Sequence, residues 1–301
     1  MAFDLSQAPR QSGRCALITG ANIGLGYETA KAFAGLGGSV ILACRNVQKA
    51  QAARDSILAI HPQAEILVEQ LDLSDLASVR ACAARILAQR QTLDLLINNA
   101  GIMMPPYSLS TDGFESQFAA NYLGHFVLTG ALLPLLNATP GARVVTLSSL
   151  AHRWGPIRYD DPHFTQGYDK RRAYGQSKLA CLVFALELQR RLAASGAGTL
   201  SVAAHPGVAA TNLGQHLPGV ARWLMPVAGL IFNTAEGGAW PTLYAALGQD
   251  IAGGDYCGPS RMRQMSGPAT KVGCSRTARD PEQGRKLWTL SEQLTGTHYL
   301  D

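Results

Sequence analysis

Tyr174 and Lys178 stand four residues apart in the run Tyr-Gly-Gln-Ser-Lys, and Ser149 lies upstream of them. On a helix this spacing puts both side chains on one face, so the lysine ammonium can lie close to the tyrosine phenol. A neighbouring positive charge favours the phenolate and makes the tyrosine usable as an acid or a base. The hydroxyl of Ser149 can steady charge that develops on a reacting oxygen. These residue types at this spacing predict proton-transfer chemistry.

A glycine-rich run follows the first apolar stretch of the chain. Residues 15–19 have the pattern of a strand, and a helical pattern opens near Tyr27. A strand, a glycine turn and a helix in this order cradle a pyrophosphate with backbone amides and the positive end of the helix. The spacing Gly-x-x-x-Gly-x-Gly departs from the commonest dinucleotide fingerprint, and a purely structural turn is the alternative. The residues expected at the cofactor are Gly20, Asn22, Ile23, Gly24, Leu25 and Gly26.

The end of the second predicted strand bears on which dinucleotide binds. About twenty residues beyond the glycines, an NAD site would carry an acid that holds both ribose hydroxyls. This chain has Cys44 and then Arg45 there. A neutral residue followed by arginine removes the charge that would repel a 2′-phosphate and adds a planar donor for it. We therefore predict NADP(H) rather than NAD(H), the alternative being that Arg45 merely faces solvent.

Short apolar runs alternate with longer helical stretches along the chain. This alternation predicts an α/β fold, a doubly wound (Rossmann) parallel sheet of at least six strands with helices on both faces. The predicted strands are residues 15–19, 40–44, 65–71, 93–98, 143–147 and 199–204, and the predicted helices include 26–36, 47–60, 76–89 and 114–136. Between Ser149 and Tyr174, glycine, proline and aspartate favour an irregular loop beside the site.

The composition predicts one soluble domain. The chain has 301 residues, of which 47% are hydrophobic and 16% charged, and no linker divides it. Residues 1–13 are polar and lack the apolar centre of a signal peptide, so we expect a flexible N-terminal leader there and a single catalytic domain over residues 14–301. The apolar stretch from Trp223 to Phe232 is too short to span a bilayer, so no transmembrane segment is expected.

Charge, cysteine and histidine patterns argue against other classes of partner. The net charge of +5 is scattered along the chain, which makes nucleic-acid binding a weak interpretation. Six cysteines show no Cys-x-x-Cys spacing, and the histidines show no pairing typical of a metal site. We expect reduced thiols, a cytoplasmic protein and no metal.

Further short motifs occur in a familiar order along residues 14–213. They are Asp72-Leu73, Asn98-Asn99-Ala100-Gly101, Asn121, Ser148-Ser149, Tyr174-x-x-x-Lys178 and His205-Pro206-Gly207. With these and the glycine run, the chain closely resembles the short-chain dehydrogenase/reductase family. Within it, Cys44-Arg45-Asn46 and the long segment before Tyr174, with its Asp160-Asp161 pair, look like the catalytic domain of the retinol-dehydrogenase and WW-domain-oxidoreductase branch.

The resemblance implies a role for each catalytic residue. Tyr174 would be the general acid in reduction and the general base in oxidation. Lys178 would favour its phenolate and also hydrogen-bond the nicotinamide ribose, while Ser149 would hydrogen-bond the substrate oxygen. Asn121 would hold a water that links Lys178 to solvent.

The resemblance also implies cofactor contacts beyond the glycine run. Asp72 and Leu73 would meet the adenine, and the residues after the fourth strand would line the adenosine ribose. For Asn98 and Asn99 the alternative is that they chiefly tie adjacent strands together. The full set of these further cofactor positions is Arg45, Asp72, Leu73, Asn98, Ala100, Gly101, Tyr174, Lys178, Pro206, Gly207, Val208 and Thr211.

The apolar stretch after Thr211 bears on the substrate. In the family the corresponding region covers the substrate, so we expect a lid at about residues 212–240. An apolar lid suits the carbonyl or alcohol of an aldehyde, a ketone, or a retinoid- or steroid-like molecule. The alternative is that residues 213–232 complete the core or a subunit contact. The resemblance also suggests a possible homodimer through the helices near Asn121 and Tyr174.

Two functions from different classes fit the fold. The first is an NADP(H)-dependent oxidoreductase that acts on CH–OH or C=O groups, and the second is a non-catalytic NADP(H)-binding sensor or scaffold. The second has no need of proton-transfer groups, yet Asn121, Ser149, Tyr174 and Lys178 are present together. We therefore predict an active enzyme.

Overall fold

An eight-stranded sheet runs through the residues that this computed structural model describes, 3–208 and 233–300. Its strands are β1 (Cys15–Thr19), β2 (Ser39–Cys44), β3 (Ile66–Gln70), β4 (Leu95–Asn98), β5 (Arg143–Leu147), β6 (Leu200–Ala204), β7 (Tyr256–Arg261) and β8 (Ser266–Lys271). They lie in the order β3-β2-β1-β4-β5-β6-β7-β8. Strands β1 to β7 run parallel, and β8 returns antiparallel to β7. The predicted doubly wound α/β fold is confirmed.

Helices cover both faces of this sheet. They are α1 (Gly24–Gly35), α2 (Val47–Ile60), α3 (Leu76–Gln89), α4 (Ser116–Ala138), α5 (Lys170–Ala194), α6 (Ala235–Leu247), α7 (Arg276–Arg279) and α8 (Pro281–Thr295). One apolar core lies between the sheet and helices α1, α2 and α6, and a second lies between the sheet and α3, α4, α5 and α8. All five residues of β1 are buried, as expected for a parallel strand that is covered on both sides.

Helix α4 contains a local departure from α-helical geometry. Residues Ala119–Leu123 form a π turn, which places Asn121 at a bulge of the helix. The helix is long and apolar enough to cross a membrane, but 83% of the window that meets this test is buried inside the fold. A core helix of a soluble protein has the same features, so this helix is weak evidence for a membrane span.

The C-terminal region packs back onto helices α4 and α5. The indole of Trp288, in α8, lies 5.2 Å from the ring of Phe126 and 6.0 Å from that of Phe184, between centroids. The hydroxyl of Tyr122 in α4 pairs with that of Ser291 in α8 at 2.5 Å. The ring of Tyr299 fits where Gly130 leaves room, and its hydroxyl donates to the Phe126 carbonyl at 3.1 Å. A face of the α4–α5 pair is therefore covered by the chain's own C-terminal region.

Two segments singled out in the sequence lie partly within the described residues. Residues 3–13, the described part of the expected leader, contact the domain: the Gln11 amide donates to the Leu36 carbonyl at 2.9 Å, and the Phe3 ring lies 5.4 Å from that of Tyr244. Of the expected lid at 212–240, residues 212–232 lie outside the described residues. The part from Ala235 belongs to α6, which packs against α1.

Candidate active site

The candidate site residues follow the carboxyl ends of neighbouring parallel strands. Gly20 follows β1, Arg45 follows β2, Gly101 comes shortly after β4 and Ser149 shortly after β5. Because these strands are parallel, their carboxyl ends lie at one edge of the sheet. A crevice is expected at this edge where the strand order reverses, between β1 and β4.

The glycine run forms a tight turn into α1. Gly20 and Gly24 have φ of +66° and +62°, which side chains other than glycine rarely adopt. A Cβ on Gly26 would lie 2.5 Å from the Asn99 amide nitrogen and 2.8 Å from the Gly20 carbonyl oxygen, so only glycine fits. Ile23, before the first turn of α1, is extended and offers no capping side chain. Within the described residues no side chain caps the first amides of α1, an arrangement that fits a pyrophosphate.

Asn22, Ile23 and Leu25 form the rim of this turn. Ile23 is 57% exposed, while Asn22 and Leu25 are half-buried. Ile23 therefore presents an apolar surface next to the first amides of α1.

The end of β2 carries Cys44 and Arg45 as the sequence indicated. Cys44 is buried, and burial raises the pKa of its thiol to about 11, which keeps it neutral. Arg45 is exposed and forms no ion pair with any residue in the described ranges. The edge therefore presents one cation and no acid at this point.

Asp72 and Leu73 follow β3 on the same edge. The Asp72 carboxylate accepts from the backbone amide of Ser74 at 2.9 Å and from its hydroxyl at 2.6 Å. Leu73 is buried against Gly124 of α4. Both residues are therefore held by local contacts at the rim of the crevice.

The turn after β4 is tied to the end of β1 by Thr19. The Thr19 hydroxyl accepts from the amides of Asn99 and Ala100, each at 2.9 Å, and the Asn99 side chain donates to the Thr19 carbonyl at 2.7 Å. Asn98 is buried, and its amide nitrogen donates to the Thr129 hydroxyl at 3.0 Å. Asn99 thus ties the turn after β4 to β1, and Asn98 ties β4 to α4.

Asn121 and Lys178 meet at this turn. The Asn121 side chain accepts from the Ile102 amide at 2.7 Å and donates to the Ile102 carbonyl at 3.0 Å and to the Ser177 hydroxyl at 2.9 Å. The Lys178 ammonium is buried and donates to the Leu147 carbonyl at 3.1 Å. A Cβ on Gly101 would lie 3.0 Å from Asn121 Oδ1 and 3.4 Å from Lys178 Nζ. Three elements, the turn after β4, α4 and α5, therefore converge at one point.

Ser149 caps a short 3-10 helix, Leu150–Arg153. Its hydroxyl oxygen accepts from the Ala151 amide at 3.2 Å, so its own proton is left for another acceptor. Its carbonyl accepts from the His152 side chain at 2.7 Å. Gly175, next to Tyr174, lets α5 approach this helix, because a Cβ there would lie 2.9 Å from that of Trp154. Ser149 and Tyr174 are thereby brought to neighbouring surfaces.

The phenol of Tyr174 lies beside an exposed aromatic side chain. The ring centroids of Tyr174 and Trp154 are 6.0 Å apart, and Trp154 is 46% exposed. The Arg171 guanidinium lies over the outer ring of Trp154, at 5.5 Å from the centroid. The Tyr174 ring therefore has a partly exposed aromatic neighbour.

The turn after β6 completes the described part of the site. Gly207 has φ of +70° and lies against the Met265 carbonyl, which accepts from the Val208 amide at 2.8 Å. Pro206 accepts from the Asn233 side chain at 3.3 Å. Thr211, also expected at the cofactor, lies outside the described residues.

Comparisons with known proteins agree with this arrangement. The family model of the short chain dehydrogenases matches residues 14–219. Human retinol dehydrogenase 13 is 40% identical over 291 residues, which cover 94% of this chain and 85% of the relative. Mouse retinol dehydrogenase 12 is 41% identical over 290 residues, covering 95% and 88%. A crystal structure of an uncharacterized protein from Mycobacterium paratuberculosis is 42% identical, with a TM-score of 0.83 and 99% coverage of both chains.

The chain belongs to the short-chain dehydrogenase family. Within that family it is similar to retinol dehydrogenases along nearly its whole length, which confirms the predicted branch. This dehydrogenase is accordingly an oxidoreductase.

Two further polar residues of this dehydrogenase lie on the inner face of α4, and the sequence did not single them out. His125 and Thr129 follow Asn121 at intervals of four residues, so the three form one buried stripe on an otherwise apolar helix. His125 bonds Thr19, and Thr129 bonds Asn98. A polar residue repeated every fourth position in an apolar run is the signal that would have found them.

A third missed residue is His152. Its ring donates from Nδ1 to the Ser149 carbonyl, and its Nε2 accepts from the Ser275 amide at 3.3 Å, just before α7. Burial lowers its pKa, which favours the neutral ring that these two bonds require. Ser149, a candidate catalytic residue, is in this way tied to the C-terminal region.

Proposed function

We propose that the protein is an NADP(H)-dependent oxidoreductase that moves a hydride between nicotinamide and the carbonyl or alcohol of an apolar substrate. The proposal rests on one observation: Gly101 lies directly beside Asn121 Oδ1 and Lys178 Nζ. Gly101 belongs to the turn expected to line the adenosine ribose, so the turn that would line the cofactor ends beside the residues expected to move the proton. A dinucleotide bound along this edge of the sheet would then bring its nicotinamide to Lys178 and its neighbours, as coupled hydride and proton transfer requires.

The proton moves at the phenol oxygen of Tyr174, which gives it to the carbonyl in reduction and takes it from the alcohol in oxidation. When bound, the nicotinamide supplies or accepts the hydride. Ser149 donates its free hydroxyl proton to the substrate oxygen and steadies the charge that develops there. The Lys178 ammonium has three donors and uses one on Leu147, so two serve the phenol side and the ribose hydroxyls.

Asn121 is proposed to hold the water that links Lys178 to solvent. Its backbone carbonyl already accepts from His125 at 2.9 Å and from the Cys181 thiol at 3.2 Å. Its side-chain oxygen accepts one bond, from Ile102, and keeps a second lone pair. The relay role therefore falls to Oδ1.

Several positions would hold the cofactor itself. The first amides of α1, which no described side chain caps, suit the pyrophosphate, and Arg45 suits a 2′-phosphate because it is an exposed cation at the end of β2. These features favour NADP(H) over NAD(H). The remaining proposed contacts, from Asp72, Leu73, Asn98, Ala100, Pro206, Gly207, Val208 and Thr211, rest on the family resemblance.

The described rim of the site favours an apolar substrate. Ile102 is 38% exposed, Trp154 46% and Met262 51%, and all three lie on turns at the carboxyl edge of the sheet or at the β7–β8 tip. Exposed large apolar groups beside a crevice are typical of a surface that binds an apolar molecule. The relatives named retinol dehydrogenases support a retinoid-like aldehyde or alcohol among the candidates.

The proposal extends to the oligomeric state and the cellular compartment of the protein. A homodimer through α4 and α5 is one possibility that the family resemblance suggested, but α8 and Tyr299 occupy a face of that pair, which favours a monomer. All six cysteines are unpaired, in keeping with a reducing compartment such as the cytoplasm.

A titration of the purified protein with NADPH and with NADH, followed by nicotinamide fluorescence, tests the proposal. A panel of apolar aldehydes and ketones, with retinal among them, is then added to the same samples. We expect tighter binding of NADPH and its oxidation by one class of carbonyl. Binding without oxidation across the panel would favour the sensor or scaffold alternative, and no binding of either cofactor would contradict the proposal.

A further inference from the structure

A single imidazole joins the cofactor side of the site to the catalytic side. His125 lies in the interior of α4 and is 1% exposed. Its Nδ1 lies 2.9 Å from the backbone oxygen of Asn121, in the π turn, and its Nε2 lies 2.8 Å from the hydroxyl oxygen of Thr19, at the end of β1. The ring is therefore a direct bridge between two turns that are far apart in sequence.

The partners of His125 determine where its proton lies. A carbonyl oxygen only accepts, so Nδ1 carries the hydrogen and donates to Asn121. In the neutral ring Nε2 must then accept, and the Thr19 hydroxyl donates to it. Burial lowers the pKa of His125 to about 4, which keeps the ring neutral near neutral pH. The Thr19 hydroxyl thus accepts from two amides and donates to His125 at 2.8 Å, in preference to the Ile97 carbonyl, which lies farther away at 3.4 Å.

Each end of the bridge holds a turn that the mechanism needs. On one end, Thr19 fixes the amides of Asn99 and Ala100, next to the glycine cradle. On the other end, Asn121 fixes the amide and carbonyl of Ile102, beside Lys178. His125 itself is too deeply buried to meet cofactor or substrate.

We propose that His125 is a positioning residue that sets the Asn121 turn relative to the Thr19 turn, and that loss of either of its bonds loosens the corresponding turn. This inference rests on the proposed function for its effect on turnover. Its effect on the two turns stands without it, because amide exchange in the free protein reports on them directly.

Three substitutions separate the two bonds. His125→Phe removes both. His125→Asn keeps a donor near the position of Nδ1 and loses the reach to Thr19, whereas His125→Gln keeps an acceptor near the position of Nε2 and loses the donor to Asn121. Tyr122→Phe is the matched control. Tyr122 lies in the same π turn as Asn121, but the substitution removes a different buried hydrogen bond, which joins the turn to Ser291 of α8 and involves neither Thr19 nor Ile102.

Hydrogen exchange at the amides of Ala100 and Ile102 reads the two turns separately. With His125→Phe we expect exchange at both amides to accelerate roughly tenfold, as for the loss of a buried hydrogen bond. His125→Asn should accelerate Ala100 more than Ile102, and His125→Gln should do the reverse. The control should leave both amides at the wild-type rate. Should His125→Phe not fold, the opposite patterns of the other two variants still decide the matter.

Turnover supplies the second readout. We expect His125→Phe to lower kcat roughly ten- to a hundredfold by misplacing the catalytic turn, with partial rescue by His125→Asn or His125→Gln. Tyr122→Phe should lower Tm and leave kcat unchanged. Wild-type exchange at both amides in all three His125 variants would overturn the inference. A wild-type protein that binds no nicotinamide would instead overturn the proposed function, and the exchange pattern would still test the bridge.

Discussion

Arg45 is the single residue on which the proposed cofactor preference depends. It is exposed at the end of β2, next to a buried neutral cysteine, and forms no ion pair within the described ranges. A charge-assisted bond to a phosphate is worth about 1.5–3 kcal/mol. We expect Arg45→Ala to reduce the preference for NADPH over NADH roughly ten- to a hundredfold, measured as the ratio of Kd values from fluorescence titration.

Arg54→Ala provides the control for this prediction. Arg54 is a second arginine of the same region, on α2, where it pairs with Asp55. Its removal should leave the preference unchanged. An Arg45→Ala protein that still prefers NADPH as strongly as the wild type would show that another group recognises the phosphate.

At the scale of residues, the sequence points to candidate groups for chemistry more readily than to the side chains that hold those groups in place. Ser149, Tyr174 and Lys178 stand out because their types and order have a chemical meaning. His125 and His152 do not, since a lone histidine in an apolar run or in a loop has no pattern that fixes its partners. Their partners, Thr19 and Ser275, are distant in sequence and become neighbours only in the fold.

The turn from β1 into α1 has no room for a side chain at Gly26. A Cβ at Gly26 would crowd both the Asn99 side chain and the Gly20 carbonyl. Overpacking of this kind costs about 1–3 kcal/mol and shifts the backbone. We therefore expect Gly26→Ala to weaken NADPH binding roughly tenfold or more, with a moderate fall in Tm measured by thermal unfolding.

Gly155→Ala is the matched change outside this turn. Its two chain neighbours aside, none of the described residues has an atom within 4 Å of the position that its Cβ would take. Binding of NADPH should be as in the wild type. If Gly26→Ala also binds NADPH normally, the cradle is not the pyrophosphate site.

The elements themselves were predicted unevenly. The bounds of α2 and α3 agree with the sequence pattern, because both begin after a capping Asn46 or Asp75 and carry a clear apolar stripe. The π turn of α4 could not be predicted. A π turn adds one residue to a helical turn and so shifts the pattern of apolar positions, but in a helix that is apolar on nearly all sides this shift is not visible in the sequence. Strand β8, Ser266–Lys271, is poor in apolar residues and is defined by its pairing with β7, a contact the sequence does not display.

At the scale of the whole molecule, the C-terminal region determines which surfaces are left for assembly. Trp288 is fully buried between Phe126 and Phe184, and Arg191 lies over its ring at 4.4 Å. A second copy could reach this face of α4 and α5 only by displacing α8, and exposing one large buried apolar side chain costs about 1.5–3 kcal/mol. We expect a monomer of 32.0 kDa by light scattering coupled to size exclusion.

A particle of twice that mass would show that another surface assembles the protein. The Tyr122→Phe protein is a useful comparison, because it loosens the contact with Ser291 without exposing an apolar side chain. It should elute as the wild type does.

The most direct test of the central claim is the turnover of a Tyr174→Phe protein with NADPH and the carbonyl that the wild type reduces. Removal of the phenol proton should lower kcat by about 10²–10⁴-fold, the range for general acid catalysis, while NADPH still binds. Tyr159→Phe, which removes a phenol bonded to Gln283 instead, should keep wild-type kcat. Turnover that survives Tyr174→Phe unchanged would contradict the account.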